Sequence, residues 1–185
     1  MSETNSFVRN WIAVREMQGQ IRGDALRIVI DALKDENVTQ VVMTYSGGGD
    51  SGEYHYPIYT MQKGDELVCL ESREGYGGSS YRLESTGTLL LETKVAMPRA
   101  HYGDWDAETN TQKAPRIEKT ERMLVEAVYL VMEDAVESRH EGWYNNEGGE
   151  GTVTLNVGKG RIEVSHGDYV TETVWNEYTV EAGNA

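Results

Sequence analysis

Two glycine-rich strings carry the side chains that could do chemistry. Residues 46–53 read SGGGDSGE, and residues 140–151 read HEGWYNNEGGEG. The first presents an acid beside a hydroxyl, Asp50 and Ser51, on what must be a tight turn. The second sets Trp143, Asn145 and Asn146 among His140, Glu141, Glu147 and Glu150. Joined by Tyr169, the residues Asp50, Ser51, Trp143, Asn145 and Asn146 would form a small-ligand or enzymatic site from the two loops, 46–52 and 141–151.

Ser51 stands in Gly-Asp-Ser-Gly, a string that resembles the surroundings of the nucleophile in trypsin-like proteases. That chemistry needs a histidine base upstream of the serine, and the first histidine here is His55. A Gly-x-Ser-x-Gly elbow fails as well, because position 53 is glutamate. A hairpin that uses glycine for positive φ explains the run without catalysis. His55, His101, His140 and His166 form no i,i+4 pair on a helix and no HExxH motif, so spacing implies no metal. Asp104, Asp106 and Glu108 alternate in GDWDAE but lack the central glycine and final glutamate of a calcium loop. Cys69, the single cysteine, lies in an apolar strand pattern and reads as inert core. The glycine runs end in acids, which repel phosphate, and no cofactor is implied.

These residues need elements to hold them. Segment 1–37 reads as helical. Over 21–36, Ile21, Ala25, Ile28, Val29, Ala32 and Leu33 share one face, and Asn37 is a stop signal. A preceding helix over 4–18 would turn Phe7, Trp11 and Val14 inward. Residues 38–97 have β texture, with a hairpin around the first glycine string and short strands after it. Residues 98–115 carry Pro98, Gly103, Asn110 and Pro115 without apolar period, and predict a loop. Residues 116–140 predict a long helix with Leu124, Ala127, Val128, Val131 and Ala135 inward, capped by Gly142. Residues 141–181 predict a meander with turns at 158–160 and 167–168. The sum is a single α+β domain spanning 1–185, a mainly antiparallel sheet with N-terminal helices and one long central helix packed on one face.

Charge supplies the leading functional expectation. Seventeen basic residues oppose 31 acidic ones, a net charge of −14, and residues 141–185 hold eight acids against two bases. Such a chain repels phosphate backbones and attracts basic proteins. It is expected to be a non-enzymatic interaction protein in the cytoplasm, occupying the basic nucleic-acid-binding surface of a partner, as a phage-type inhibitor of bacterial defence would by charge mimicry. Glu147, Glu150, Glu163, Asp168, Glu172 and Glu177 are the expected contacts. No run approaches the roughly 18 apolar residues of a membrane span, and MSETNSFVRN lacks a signal-peptide pattern.

A strand ending at Tyr45, GGGDSG, a long helix, EGWYNNEGGEG, TVTLNV and a strand beginning YVTET follow in order. Over roughly residues 25–181 this resembles a domain family of unknown function found in bacteria and their phages. The EGWYNNEGGEG block is its specific part. The resemblance implies an α+β domain and two glycine strings adjacent in space, and it brings no catalytic residues.

The charge argument has a direct check. Titration of labelled duplex DNA at physiological salt should show no binding, because no basic stripe exists to displace counterions. Micromolar affinity in that titration would overturn the acidic-surface reading.

Overall fold

The computed structural model describes residues 3–63, 66–70 and 92–172, with side chains for 8–62 and 92–172. Helix α1 spans Glu3–Asp35 without interruption. The two N-terminal helices read from sequence are therefore one. Gly19 and Gly23 lie within it, each in open space, where glycine in a helix costs only about 1 kcal/mol relative to alanine. Val14, Ala25, Val29, Ile30 and Leu33 are buried, whereas Trp11 is 43% exposed, against expectation. The Phe7 side chain lies outside the described set. Asn37 ends the helical run as predicted, with φ +59° and its N–H donating to the Lys34 carbonyl.

Strand β1, Val38–Gly48, is the centre of the main sheet. It turns through Gly49 and Asp50, both at positive φ, into β2, Ser51–Tyr54. Two residues of that kind give a turn whose twist suits a hairpin. Strands β3 (Ile58–Lys63) and β4 (Glu66–Leu70) extend the sheet on one side of β1. Cys69 pairs with Thr60 in the ladder, and its side chain lies outside the described ones. A register shift between Val38 and Gln40 lets both Val38 and Val41 face the core.

The expected loop and the start of the expected helix are instead a ribbon. Strand β5 (Lys94–His101) pairs along its whole length with β8 (Arg116–Met123), and β6 (Trp105–Asp106) pairs with β7 (Thr111–Gln112) at the far end. Pro98 is compatible because each strand of a two-stranded ribbon is an edge, where a missing N–H need not break a ladder. Residues 116–123 read RIEKTERM, with Ile117 48% exposed, so no apolar face of either period marks them. Helix α2 therefore covers only Leu124–Glu137. Leu124, Ala127, Val128 and Val131 are buried as expected; Ala135 is half-buried and Val136 takes the inward place.

Strands β9 (Gly149–Asn156) and β10 (Arg161–Asp168) complete the order β10-β9-β1-β3-β4, with β2 pairing β1. The turn at 158–160 is present, but Gly167 and Asp168 are strand residues opposite Glu150 and Gly149, not a turn. Residues 169–172 carry no strand, and the rest of the predicted final strand lies outside the described residues. Among the described residues all pairings are antiparallel, and an apolar cluster joins α1, β1, β3, β5, α2 and β9. The fold is α+β. Among the described residues no helix is long and apolar enough to cross a membrane.

The α2 surface next to this core holds an uncomfortable charge. Glu133 is half-buried, and desolvation raises its carboxyl above the usual value, with the charges of Glu137 and Asp134 adding to the shift. A carboxyl whose folded pKa is raised disfavours the fold once ionised, so stability falls as pH climbs from the usual glutamate value through the raised one. Glu133→Gln should therefore raise the melting temperature at pH 7, and the gain should vanish in acid below the ordinary carboxylate range. A gain that persists unchanged in acid would assign the effect to packing.

Candidate functional site

The register of four strands sets the site's floor. Gly47 of β1 lies opposite Gly52 of β2 and Gly149 of β9, placing three glycines abreast. One residue on, Ser46 aligns with Glu53 and Glu150. In the next row Tyr45 aligns with Tyr54 and Gly151, and Gly151 with His166 of β10. Tyr45 and His166 are thus two strands apart with only Gly151 between them. A Cβ on Gly151 would lie 2.4 Å from the Tyr45 hydroxyl, so the glycine is the space through which that hydroxyl reaches His166.

Trp143 uses the same device. A Cβ on Gly52 would lie 2.6 Å from its ring, and one on Gly47 would stand 3.0 Å from it. The indole is 5% exposed and meets Tyr45 edge-on, with ring centroids 4.8 Å apart. Its Nε1–H donates to Glu137 Oε1 at 3.0 Å, and the Tyr54 hydroxyl donates to the same oxygen at 2.9 Å. Burial raises the Tyr54 pKa first, and this hydrogen bond to Glu137 raises it further, so the hydroxyl stays a donor.

The loop that delivers Trp143 closes on the first glycine string. Helix α2 ends in a right-handed cap at Ser138, so Gly142, with φ +72°, serves a later turn and not the helix cap expected of it. Gly49 N–H donates to the Asn146 carbonyl at 2.8 Å, and Asn146 N–H reaches Asp50 Oδ1 at 3.4 Å. Gly148, at φ +82°, passes so close to Gly47 that a Cβ would lie 2.0 Å from its carbonyl oxygen. The two strings are adjacent.

A polar chain runs from the floor to the surface. The Tyr45 hydroxyl donates to His166 Nδ1 at 2.7 Å, and His166 Nε2 donates to Asp168 Oδ1 at 3.0 Å. These roles follow from the chemistry of the partners, because an ionised carboxylate can only accept and so sets the tautomer. Burial raises the Tyr45 pKa, and the Asp168 and Glu137 charges raise it further, which keeps its proton in place. The His166 side chain is 5% exposed, and His140 stacks over it with centroids 4.0 Å apart.

Outside this stack is a polar pocket of about 490 Å³, lined in part by Arg139, His140, Glu141, Glu147, Asp168 and Tyr169. Trp143, Asn145 and Asn146 also line it, and no residue of the 46–52 string does. Asp50 supports the wall through Asn146, and Ser51 is exposed on β2 and does not line it. Tyr169 donates from its hydroxyl to Glu150 at 3.0 Å, which together with partial desolvation raises its pKa. Glu147 and Asp168 line the pocket. Glu150 and Glu163 do not: Glu150 lies opposite Gly167, so strand alternation puts both on the other face of the sheet from His166 and Asp168, and Glu163 is paired with Arg161. Glu172 is exposed beyond the strand, and Glu177 lies outside the described residues.

Sequence reasoning missed Tyr45, Glu137, His140 and His166 as members of the site. One local signal was present, since His166 and Asp168 at i,i+2 on a strand must share a face. Among the described residues no group of three His, Cys, Asp or Glu side chains is arranged to hold a metal ion.

Residues 60–180 match the model of a family described as a family of unknown function, DUF6878. The chain belongs to that family. The DUF6878 match takes in α2, the 141–151 loop, β9 and β10, and it leaves α1, β1 and the GGGDSG hairpin outside. No curated protein and no solved structure matches the chain.

The Gly151 gap can be tested alone. Gly151→Ala should destabilise the protein by about 1–3 kcal/mol, the usual cost of forcing extra volume into a packed site. Tyr45→Phe in that background should recover only a small part of the loss in a denaturant titration, because the hydroxyl goes while the Ser165 carbonyl and the ring Cζ, each 2.5 Å from the added Cβ, stay. Purely additive losses would show that the methyl and the hydroxyl do not compete.

Proposed function

We propose that the protein is a non-enzymatic binding protein that receives a basic segment of a partner protein at the pocket beside His140. The gathering of Glu141, Glu147 and Asp168 in the lining of one concave polar site carries this reading. A lysine or arginine side chain entering there would meet Glu141, Glu147 and Asp168, the last of them held by His166. Preorganised acceptors of that kind lose less freedom on binding than free side chains do. Charge mimicry extends the idea: a cytoplasmic inhibitor of this sort would occupy the surface that a basic partner otherwise offers to nucleic acid, and the net charge of −14 supports its long-range attraction. A phage-type antagonist of bacterial defence is the specific form of that proposal.

A second reading is supported by His140, whose ring stacks on the clamped His166 beside the pocket. A small polar ligand, bound or transformed there, would use His140 as its contact. In that case His140→Ala would abolish ligand binding while charge reversal at the rim would matter little.

A labelled oligo-arginine peptide is a probe for the first reading. Lysine at Glu141, Glu147 and Asp168 together should weaken its binding by roughly tenfold or more and slow association most at low salt, the signature of electrostatic steering. Lysine at the exposed Glu16, Asp31 and Asp35 makes the same change in net charge away from the pocket. Equal weakening by both sets would reduce the effect to bulk charge and remove the docking site.

A further inference from the structure

A second concavity lies away from the acidic pocket and has the opposite character. It is a groove of about 890 Å³ between α1, the β5–β8 ribbon, α2 and the β9–β10 turn, and it shares no lining residue with the acidic pocket. Small-molecule sites occupy about 300–1,000 Å³. Its walls are apolar: Ile21 and Leu26 from α1, Met97 from β5, Leu130 and Val131 from α2, and Ile162 from β10. Leu130 remains 37% exposed beside it.

Its charge runs against the rest of the chain. Four arginines line the groove, Arg22, Arg99, Arg122 and Arg161, against one described carboxylate, Asp134. Three of the four are committed. Arg22 bonds Asp134 at 2.7 Å, Arg122 lies 4.0 Å from Glu126, and Arg161 is paired with Glu163. Arg99 is exposed and has no ion pair among the described residues. Its cross-strand neighbour Glu118 is engaged by Arg116 instead. A net −14 chain thus keeps an apolar trough with, at its edge, a guanidinium that no described carboxylate neutralises.

We propose that this groove binds a long-chain carboxylate, with the acyl chain along the α1–α2 wall and the carboxylate on Arg99. The walls contribute by removing apolar surface from water. The guanidinium can meet a carboxylate with two parallel N–H donors, which favours that head group over a neutral or cationic one. The attraction is local and works against the net negative charge of the chain, which opposes the approach of anions. Binding here is separate from the basic partner assigned to the acidic pocket.

Calorimetric titration with dodecanoate below its micelle concentration tests the assignment. Acetate, dodecyltrimethylammonium and vesicles of an anionic phospholipid serve as separate arms. Saturable binding of dodecanoate is expected, with acetate and dodecyltrimethylammonium at least tenfold weaker. Arg99→Glu, at an exposed position, should weaken dodecanoate at least tenfold without lowering the melting temperature. Ile21→Trp, which fills the trough, should also weaken it, and Arg139→Glu at the other pocket should not. Equal binding of dodecanoate and dodecyltrimethylammonium would reduce the groove to an unselective apolar surface and overturn the proposal. So would acetate binding as tightly as dodecanoate, binding to vesicles alone, indifference to Arg99→Glu, or no binding.

Discussion

The centre of the molecule depends on side chains that are absent. Gly47, Gly52 and Gly149 stand in one row across three strands, and Gly151 stands in the row that holds Tyr45 and His166. Their missing Cβ atoms let an indole and a phenol lie against the backbone of the sheet. Close packing leaves no slack for a methyl group there. Once Trp143 is seated, its indole N–H must find an acceptor, and it is shared between Glu137 at the end of α2 and the Tyr54 hydroxyl oxygen. Once Tyr45 is seated, its hydroxyl orients His166 and, through it, Asp168. The glycines thus set where Trp143 and Tyr45 lie and, through them, the contacts made by Glu137, His166 and Asp168.

This arrangement recasts what the glycine-rich strings are. They look like flexible connectors in sequence, yet most of their residues are ladder-paired or pinned by contacts. The positive-φ requirement applies at Gly49, Asp50, Gly142, Asn146 and Gly148. Gly47, Gly52, Gly149 and Gly151 are glycine for a different reason, the close approach of another group. The aromatic cluster built on them contains its own acceptor, Glu137, in an α2 segment already crowded by Glu133 and Asp134. Part of the stabilisation from the aromatic hydrogen bonds offsets that like-charge repulsion.

Much of the fold was legible because its signals are local. The apolar period of α1 around Val29 and Leu33, the stop at Asn37, the Gly49–Asp50 turn and the alternation of Val153, Leu155 and Val157 each report on neighbouring residues. The ribbon was not legible. RIEKTERM has no apolar periodicity of its own, and its strand character comes from pairing with Lys94–His101, which no local pattern records. The site divides the same way. Trp143, Asn145, Asn146 and Tyr169 could be chosen by residue type, but joining Tyr45 to His166 requires the register of β1, β9 and β10 together. Glu163 was misplaced because composition does not say which face of a strand an acid occupies.

The place where the family match begins has a consequence for the chain as a folding unit. Residues 60–180 contain β9 and most of β3, but the strand between them, β1, precedes the match. A polypeptide cut at that boundary would lose the shared neighbour of both strands and expose two rows of unpaired amides and carbonyls. Such edges are templates for pairing with other chains. The boundary of family resemblance is therefore not a boundary of cooperative folding: shortened to its matched region, this protein would be a self-adhesive fragment.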